Sequence, residues 1–329
     1  MSTSRGCRQR PRKAGPVVPF APVPSMRVAE SRWIDVRCSP HRPGASFGNL
    51  VLRKRAHEGV TGLPANDSLY RRRPPHGVGL SEGLPSSLPA PRRFVLPLIG
   101  HRRESPTSMT FRFSTEGTEF RYLSNQAIRL ALPGVDDPWG AVRAFSLSSS
   151  PSEPGFISVT CKISDTPFKQ ALSRLKPGET AHVYGPLGHF LFDPARPSVY
   201  IAGGIGITPF RGMLRFAHDT KNPIERRLLY SARTPEELVF RSELDALSRS
   251  SPNLHVQYTV TRPKESAVAW DGRVGRIDVE WIREASENIE RPRFYVAGLP
   301  EMVEETVPLV RDSIGVPEDD ILFEMFRGY

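Results

Sequence analysis

Val199-Tyr200-Ile201-Ala202-Gly203-Gly204-Ile205-Gly206-Ile207-Thr208-Pro209 is the stretch whose reading decides the fold. An unbroken apolar run of four residues suits a strand buried on both faces, as in a parallel sheet. Glycines directly after it let the backbone come close to a pyrophosphate. The helix they open would offer unpaired N–H groups and a partial positive charge at its start. Thr208 is placed as its N-cap and Pro209 as its first residue. The spacing is not the G-x-G-x-x-G of dinucleotide folds, and alone the turn can equally be read as tight packing.

Downstream, strands at 228–231, 254–260, 293–297 and 321–326 alternate with helical patterns at 209–217, 236–248, 278–286 and 300–313. That rhythm predicts a parallel sheet with right-handed crossovers. Upstream the rhythm differs. Phe94–Ile99, Met109–Phe113, Ala127–Leu132, Arg143–Ser150, Phe156–Ile163 and Thr180–Tyr184 are short strands parted by Gly, Pro and Asp turns. One helix, Pro167–Leu175, interrupts them, and the series predicts an antiparallel β-barrel. The expected organisation is a basic Pro/Arg-rich disordered extension over 1–92, a β-barrel domain over 93–195 and an α/β domain over 196–329.

Charge separates the extension from the rest. The chain has 329 residues and a formal charge of +10. Residues 1–92 hold 16 Lys and Arg against 5 Asp and Glu, and the remainder 29 against 30. The basic character therefore belongs to the extension, where prolines 11, 16, 19, 22, 24, 40 and 43 break any helical period. It is read as a plain extension rather than a transit peptide or a nucleic-acid tail, so nucleic acid is not an expected partner. Cys7, Cys38 and Cys161 lack metal-ligand spacing, so no metal site is expected. No apolar run reaches membrane-spanning length and no secretory segment follows Met1, so a cytoplasmic location is expected, with organellar import by the tail left open.

Two further motifs lie in the barrel. In Arg143-Ala144-Phe145-Ser146 the Arg can grip a phosphate, the aromatic can lie against a planar ring and the hydroxyl can bond a ring nitrogen. An ordinary strand with one outward Arg is the alternative for four residues alone. Tyr184-Gly185-Pro186-Leu187-Gly188-His189-Phe190 is a strand end and a glycine turn.

Taken in order, these motifs resemble the ferredoxin–NADP reductase superfamily of flavoproteins. Tyr230-Ser231-Ala232-Arg233 and Ala297-Gly298-Leu299-Pro300-Glu301-Met302 extend the likeness. Thr166-Pro167-Phe168-Lys169-Gln170-Ala171-Leu172 and Glu324-Met325-Phe326-Arg327-Gly328-Tyr329 are similar to segments of stand-alone reductases without an iron–sulfur domain. The likeness spans about residues 93–329.

The resemblance implies an enzyme that passes hydride from NADPH or NADH to bound FAD, then electrons to a separate one-electron carrier such as ferredoxin or flavodoxin. It implies that Arg143 pairs with the flavin pyrophosphate, Phe145 lies beside the isoalloxazine and Ser146 bonds near N5. The N–H groups of Phe168 and Lys169 would face the flavin phosphates. Gly203, Gly204, Gly206, Thr208 and Pro209 would hold the nicotinamide nucleotide, and Ser231 and Arg233 a 2′-phosphate. Ala144, Lys162, Gly298 and Met302 complete the expected cofactor-binding set. Phe326 or Tyr329 would cover the flavin, with Glu324 near Ser146; Ser146, Glu324 and Phe326 are the expected catalytic residues.

Three positions depart from the family pattern. Ala297 stands where its cysteine would be, Lys169 where a helix-start serine would be, and Leu123-Ser124-Asn125-Gln126 replaces a P-G-Q turn. A ferric-chelate or quinone reductase, and a flavin-bearing subunit of a larger complex, are the alternative functions.

Overall fold

The computed structural model describes residues 89–327. The expectation of disorder over residues 1–88 of the extension, and that of Tyr329 on the flavin, lie outside the described residues; Arg92, the extension's last residue, already opens a strand. The first sheet holds β1 (Arg92–Ser105), β2 (Ser108–Ser114), β3 (Ala127–Ala131), β4 (Val142–Ser146), β5 (Phe156–Lys162) and β6 (Thr180–Leu187), in the order β4-β3-β6-β1-β2-β5. Every pairing is antiparallel. The outer strands meet just beyond β4, where Leu147 bridges Val159 and Ser148 N–H donates to Ser158 O at 2.9 Å. The sheet thus closes on itself as the expected barrel, leaving no free edge there.

Alternation sorts the barrel's side chains. Phe111, Phe113, Ile128, Leu130, Ile157 and Val159 are fully buried and form its core. Thr110, Ser158 and Thr160, pointing the other way, are also buried; Thr110 bonds Thr160, and Ser158 and Thr160 each bond Ser148. Helix α1 (Pro167–Arg174) packs Phe168 and Leu172 onto the same core, with Thr166 as its N-cap.

The second sheet is parallel throughout. It holds β7 (Ser198–Gly203), β8 (Arg226–Ala232), β9 (Leu254–Val260), β10 (Arg273–Val274), β11 (Arg293–Gly298) and β12 (Ile321–Met325), in the order β10-β9-β8-β7-β11-β12. Helices α2 (Ile207–Asp219) and α3 (Arg241–Ser250) follow β7 and β8, and α4 (Val279–Ser286) and α5 (Pro300–Pro308) flank β11. Tyr200, Ala202, Leu228 and Tyr230 pack in one cluster with residues of α2 and α3. Val199, Ile201, Leu229 and Val296 pack in another with residues of α4 and α5. This two-sided burial is why β7 reads as a continuous apolar run.

Sequence and structure part in a few places. The run at 94–99 is only the start of a 14-residue β1, whose polar continuation is held by pairing with β2. The helix expected from 236 begins at Arg241, because Phe240 takes a left-handed φ of 63°. The pattern over 300–313 is α5 followed by a wider π turn over Leu309–Ser313. The two-residue β10 is too short to leave a pattern in the sequence.

Candidate active site

The parallel sheet changes direction of travel between β7 and β11, and at such a switch point two loops diverge and leave a crevice at the strands' carboxyl ends. Gly203 and Gly298 end those two strands side by side. A Cβ on Gly206 would lie 2.1 Å from Ala297 O, so the loop abuts β11 in a way only glycine permits. Gly204 has a φ of +53° with nothing within 4 Å of its absent Cβ, leaving an open cradle. These two facts fit a nucleotide's phosphates against bare backbone. Met302 packs on both glycines, its Sδ 2.9 Å from a Cβ on Gly298 and 3.2 Å from one on Gly203. Thr208 is not the N-cap. Gly204–Gly206 form a helical turn that runs into α2, so Gly206 is the cap and Thr208 and Pro209 lie buried inside the helix.

On the barrel side, Arg143 and Phe145 share one face of β4 and are buried. The Arg143 guanidinium pairs with Asp137 Oδ1 at 2.7 Å. Its Nη1 donates to Trp139 O at 3.0 Å, Gly140 O at 2.5 Å and Val142 O at 3.1 Å. Its Nε is buried without a partner, a donor that suits a phosphate oxygen. Phe168 N–H donates to Asp137 Oδ2 at 2.9 Å, and Lys169 N–H to Thr166 Oγ1 at 3.4 Å, so both expected phosphate donors have partners within the protein. Burial alone would raise the Asp137 carboxyl; bonds from Phe168 N–H, Trp139 N–H and Arg143 outweigh it and hold it below the usual range. The Lys169 ammonium sits 4.6 Å over the Phe145 ring. Asp137 is a residue the sequence did not single out; Asp136-Asp137-Pro138 reads as an ordinary turn.

The two halves meet at Ser146 and Glu324. Ser146 Oγ donates to Glu324 Oε1 at 2.9 Å and Oε2 at 3.0 Å. Burial pushes the Glu324 carboxyl up to about 7, against the Ser146 hydrogen bond, although the side chain keeps partial contact with solvent. Phe326 N–H donates to Gly298 O at 2.8 Å, which extends the β12–β11 pairing past Met325. The Phe326 ring is half-buried against the aromatic cluster of the sheet.

The remaining expected residues spread outward. Ser231 lies half-buried one residue before the end of β8, and Arg233 is exposed, its backbone carbonyl accepting from Arg262 N–H at 2.7 Å. Among the described residues the Arg233 side chain has no ion pair. Lys162 ends β5 exposed and pairs loosely with Glu237 at 3.5 Å, while Ala144 is exposed on β4. Cys161 is a buried free thiol, as its strand position implies. Among the described residues no three His, Cys, Asp or Glu gather to hold a metal ion, and no helix is long and apolar enough to cross a membrane.

A barrel joined to a switch-point sheet, the two meeting at Ser146 and Glu324, defines a two-module flavin and nicotinamide-nucleotide oxidoreductase. Comparison with known proteins agrees. The family described as "Oxidoreductase FAD-binding domain" matches residues 95–192 and "Oxidoreductase NAD-binding domain" residues 200–307. Ferredoxin--NADP reductase B of Sorangium cellulosum is 32% identical over 243 residues, 71% of this chain and 97% of that protein. One component of the Na(+)-translocating NADH-quinone reductase of Neisseria meningitidis is 31% identical over 212 residues, 59% of this chain; the match spans about half (51%) of that protein's length. Among solved structures, the ferredoxin reductase in carbazole 1,9a-dioxygenase superposes with a TM-score of 0.61 at 25% identity, over 74% of this chain and 71% of that one. A Neisseria gonorrhoeae ferredoxin NADP+ reductase with bound FAD and NADP shares the fold, with a TM-score of 0.58 at 22% identity, over 72% and 99%. The chain belongs to the ferredoxin–NADP reductase family. It is a flavin-dependent oxidoreductase whose cofactors are FAD and NAD(P)H.

Proposed function

We propose that this chain is an NADPH-preferring reductase that delivers electrons to a separate one-electron carrier, a ferredoxin or flavodoxin. The observation that carries the reading is the Ser146–Glu324 contact, which joins the end of the barrel's β4 to the end of β12. FAD, when bound, accepts a hydride from the nicotinamide and gives electrons up singly. The protein's part is to bind, orient and exclude water. Ser146 Oγ would meet the flavin near N5, and Glu324 would hold a proton within reach of that hydroxyl. Arg143 would hold the pyrophosphate through its spare Nε, with Asp137 keeping the guanidinium in place. Phe145 and Phe326 would flank the isoalloxazine, and the Gly203–Gly206 loop would hold the nucleotide phosphates.

The lean towards NADPH rests on Ser231 and Arg233. Arg233 is exposed without an ion pair among the described residues, and a guanidinium serves a 2′-phosphate by a forked contact. Residues 93–195 act as the flavin unit and 196–329 as the nucleotide unit, in the cytoplasm. Purified protein should be yellow and should bleach anaerobically with NADPH faster than with NADH. Turnover with ferredoxin and flavodoxin, set beside ferric chelates and quinones, identifies the acceptor. A colourless protein that binds no added FAD sinks the proposal. The half-length match to the NADH-quinone reductase component favours a second reading, a flavin-bearing part of a larger complex. Negligible turnover alone, with a co-purifying partner, selects it.

A further inference from the structure

Arg211 lies on the second turn of α2, directly after the glycine loop, and is buried. A guanidinium has five N–H donors in a rigid fork, and here all five are used. Nε donates to Glu243 Oε2 at 3.1 Å and Nη2 to Glu243 Oε1 at 2.6 Å, within the α/β module. Nη2 also donates to Glu153 Oε1 at 3.0 Å, and Nη1 to Glu153 Oε2 and to Ser148 O, the latter at 3.1 Å, all in the barrel module. Glu153 in turn accepts from Ser150 N–H at 2.8 Å, which closes the turn after β4. Next to Arg211, a Cβ on Gly212 would lie 2.7 Å from Ser149 O, so the helix bears on the same segment with no side chain between. Ser152 Oγ donates to Asp219 Oδ2 at 2.7 Å at the far end of α2.

The segment Ser146–Glu153 is therefore fixed at both ends by the α/β module. Ser146 is held by Glu324 of β12, and Ser148 with Glu153 by Arg211 of α2. Helix α2 also carries the nucleotide loop at its start. We propose that Arg211 is a positioning residue for hydride transfer: through Glu153 and Ser148 it sets the glycine loop opposite Ser146. This rests on the reading that hydride arrives beside Ser146. Hydride transfer is unusually sensitive to such placement, because reacting atoms must meet at about 3–3.5 Å and a displacement of about 1 Å can cost about a hundredfold. A buried charge pair is a weak device for stability but a good one for register, since its bonds have direction.

The two carboxylates allow a controlled test. Glu153→Gln halves the cross-module fork, because an amide accepts at only one of its two atoms. Glu243→Gln does the same to the fork inside the α/β module. Holoenzymes of wild type and both variants are mixed anaerobically with NADPH, and flavin bleaching is followed by stopped flow with protiated and 4-deuterated nucleotide. The expected result for Glu153→Gln is bleaching slowed about tenfold or more, with a retained isotope effect and unchanged affinities for FAD and NADPH. Glu243→Gln should bleach close to wild type despite a similar fall in melting temperature. Equal slowing in both variants, or slowing in neither, overturns the proposal; so does slowing that follows lost nucleotide or FAD affinity. Should Glu153→Gln fail to fold, Arg211→Lys keeps the charge without the fork and is expected to show the same slowing. A wild-type protein that does not bleach refutes the flavin reading instead.

Discussion

Replacing Glu324 by Gln should remove a pH dependence that the wild-type protein carries in both stability and turnover. Burial lifts this carboxyl from 4.5 to about 7, with the Ser146 hydrogen bond working against the rise. At about 1.36 kcal/mol per pKa unit, the shift corresponds to roughly 3 kcal/mol, an upper figure because the side chain keeps some contact with water. The folded state holds the proton more tightly than the unfolded chain does. Its stabilising effect is therefore complete below about pH 4.5 and is lost as pH rises to about 7. Glutamine mimics the protonated acid in shape and can still accept from Ser146. Urea unfolding of the FAD-saturated proteins in steps from about pH 5 to about pH 9 reads the effect. Wild type should lose up to roughly 3 kcal/mol across that range relative to the variant. The bleaching rate should inflect near pH 7 in wild type only. Parallel stability curves would refute the reasoning, since they would mean that Glu324 does not titrate there.

Three further outcomes are expected. Arg233→Ala should raise the KM for NADPH by about tenfold or more while changing that for NADH little, and equal effects would remove the case for a 2′-phosphate contact. Gly206→Ala pushes a methyl to 2.1 Å from Ala297 O, so the loop must shift; a loss of at least about 1–3 kcal/mol in urea unfolding and weaker nucleotide binding by calorimetry should follow. Ser146→Ala should slow bleaching and raise the pH at which it inflects, because the one bond that lowers the Glu324 carboxyl is gone.

The sequence made the architecture legible where local chemistry forces it. The Gly203–Gly206 turn, the doubly buried β7 and the alternating barrel strands each need a particular residue pattern over a few neighbouring positions. Reading failed where long-range pairing decides. Nothing near Arg211 announces that Glu153, 58 positions away, closes its fork. Asp137 looks like a turn residue until Phe168, 31 positions on, donates to it. The start of α3 is misread because Glu236 and Glu237 favour a helix locally while Phe240 breaks it in the left-handed region. Ser146 and Glu324, 178 positions apart, are paired only through family resemblance; spacing alone gives no hint.

That contrast explains the character of the contact between the two modules. Interfaces between domains of one chain are usually more polar than cores, and relative motion is their default. Here the bonds that cross are polar: Arg211 to Glu153 and Ser148 O, Ser152 Oγ to Asp219 and Ser146 Oγ to Glu324. An apolar strip of equal area would bind the modules at least as tightly, but it would tolerate sliding, because apolar contact has no preferred direction. The Arg211 fork has one geometry in which every donor is met, and an unmet buried donor costs about 1–3 kcal/mol. The interface therefore favours a single register over maximal adhesion. That is what the proposed hydride transfer would require, since Ser146 of β4 and the Gly203–Gly206 loop belong to different modules.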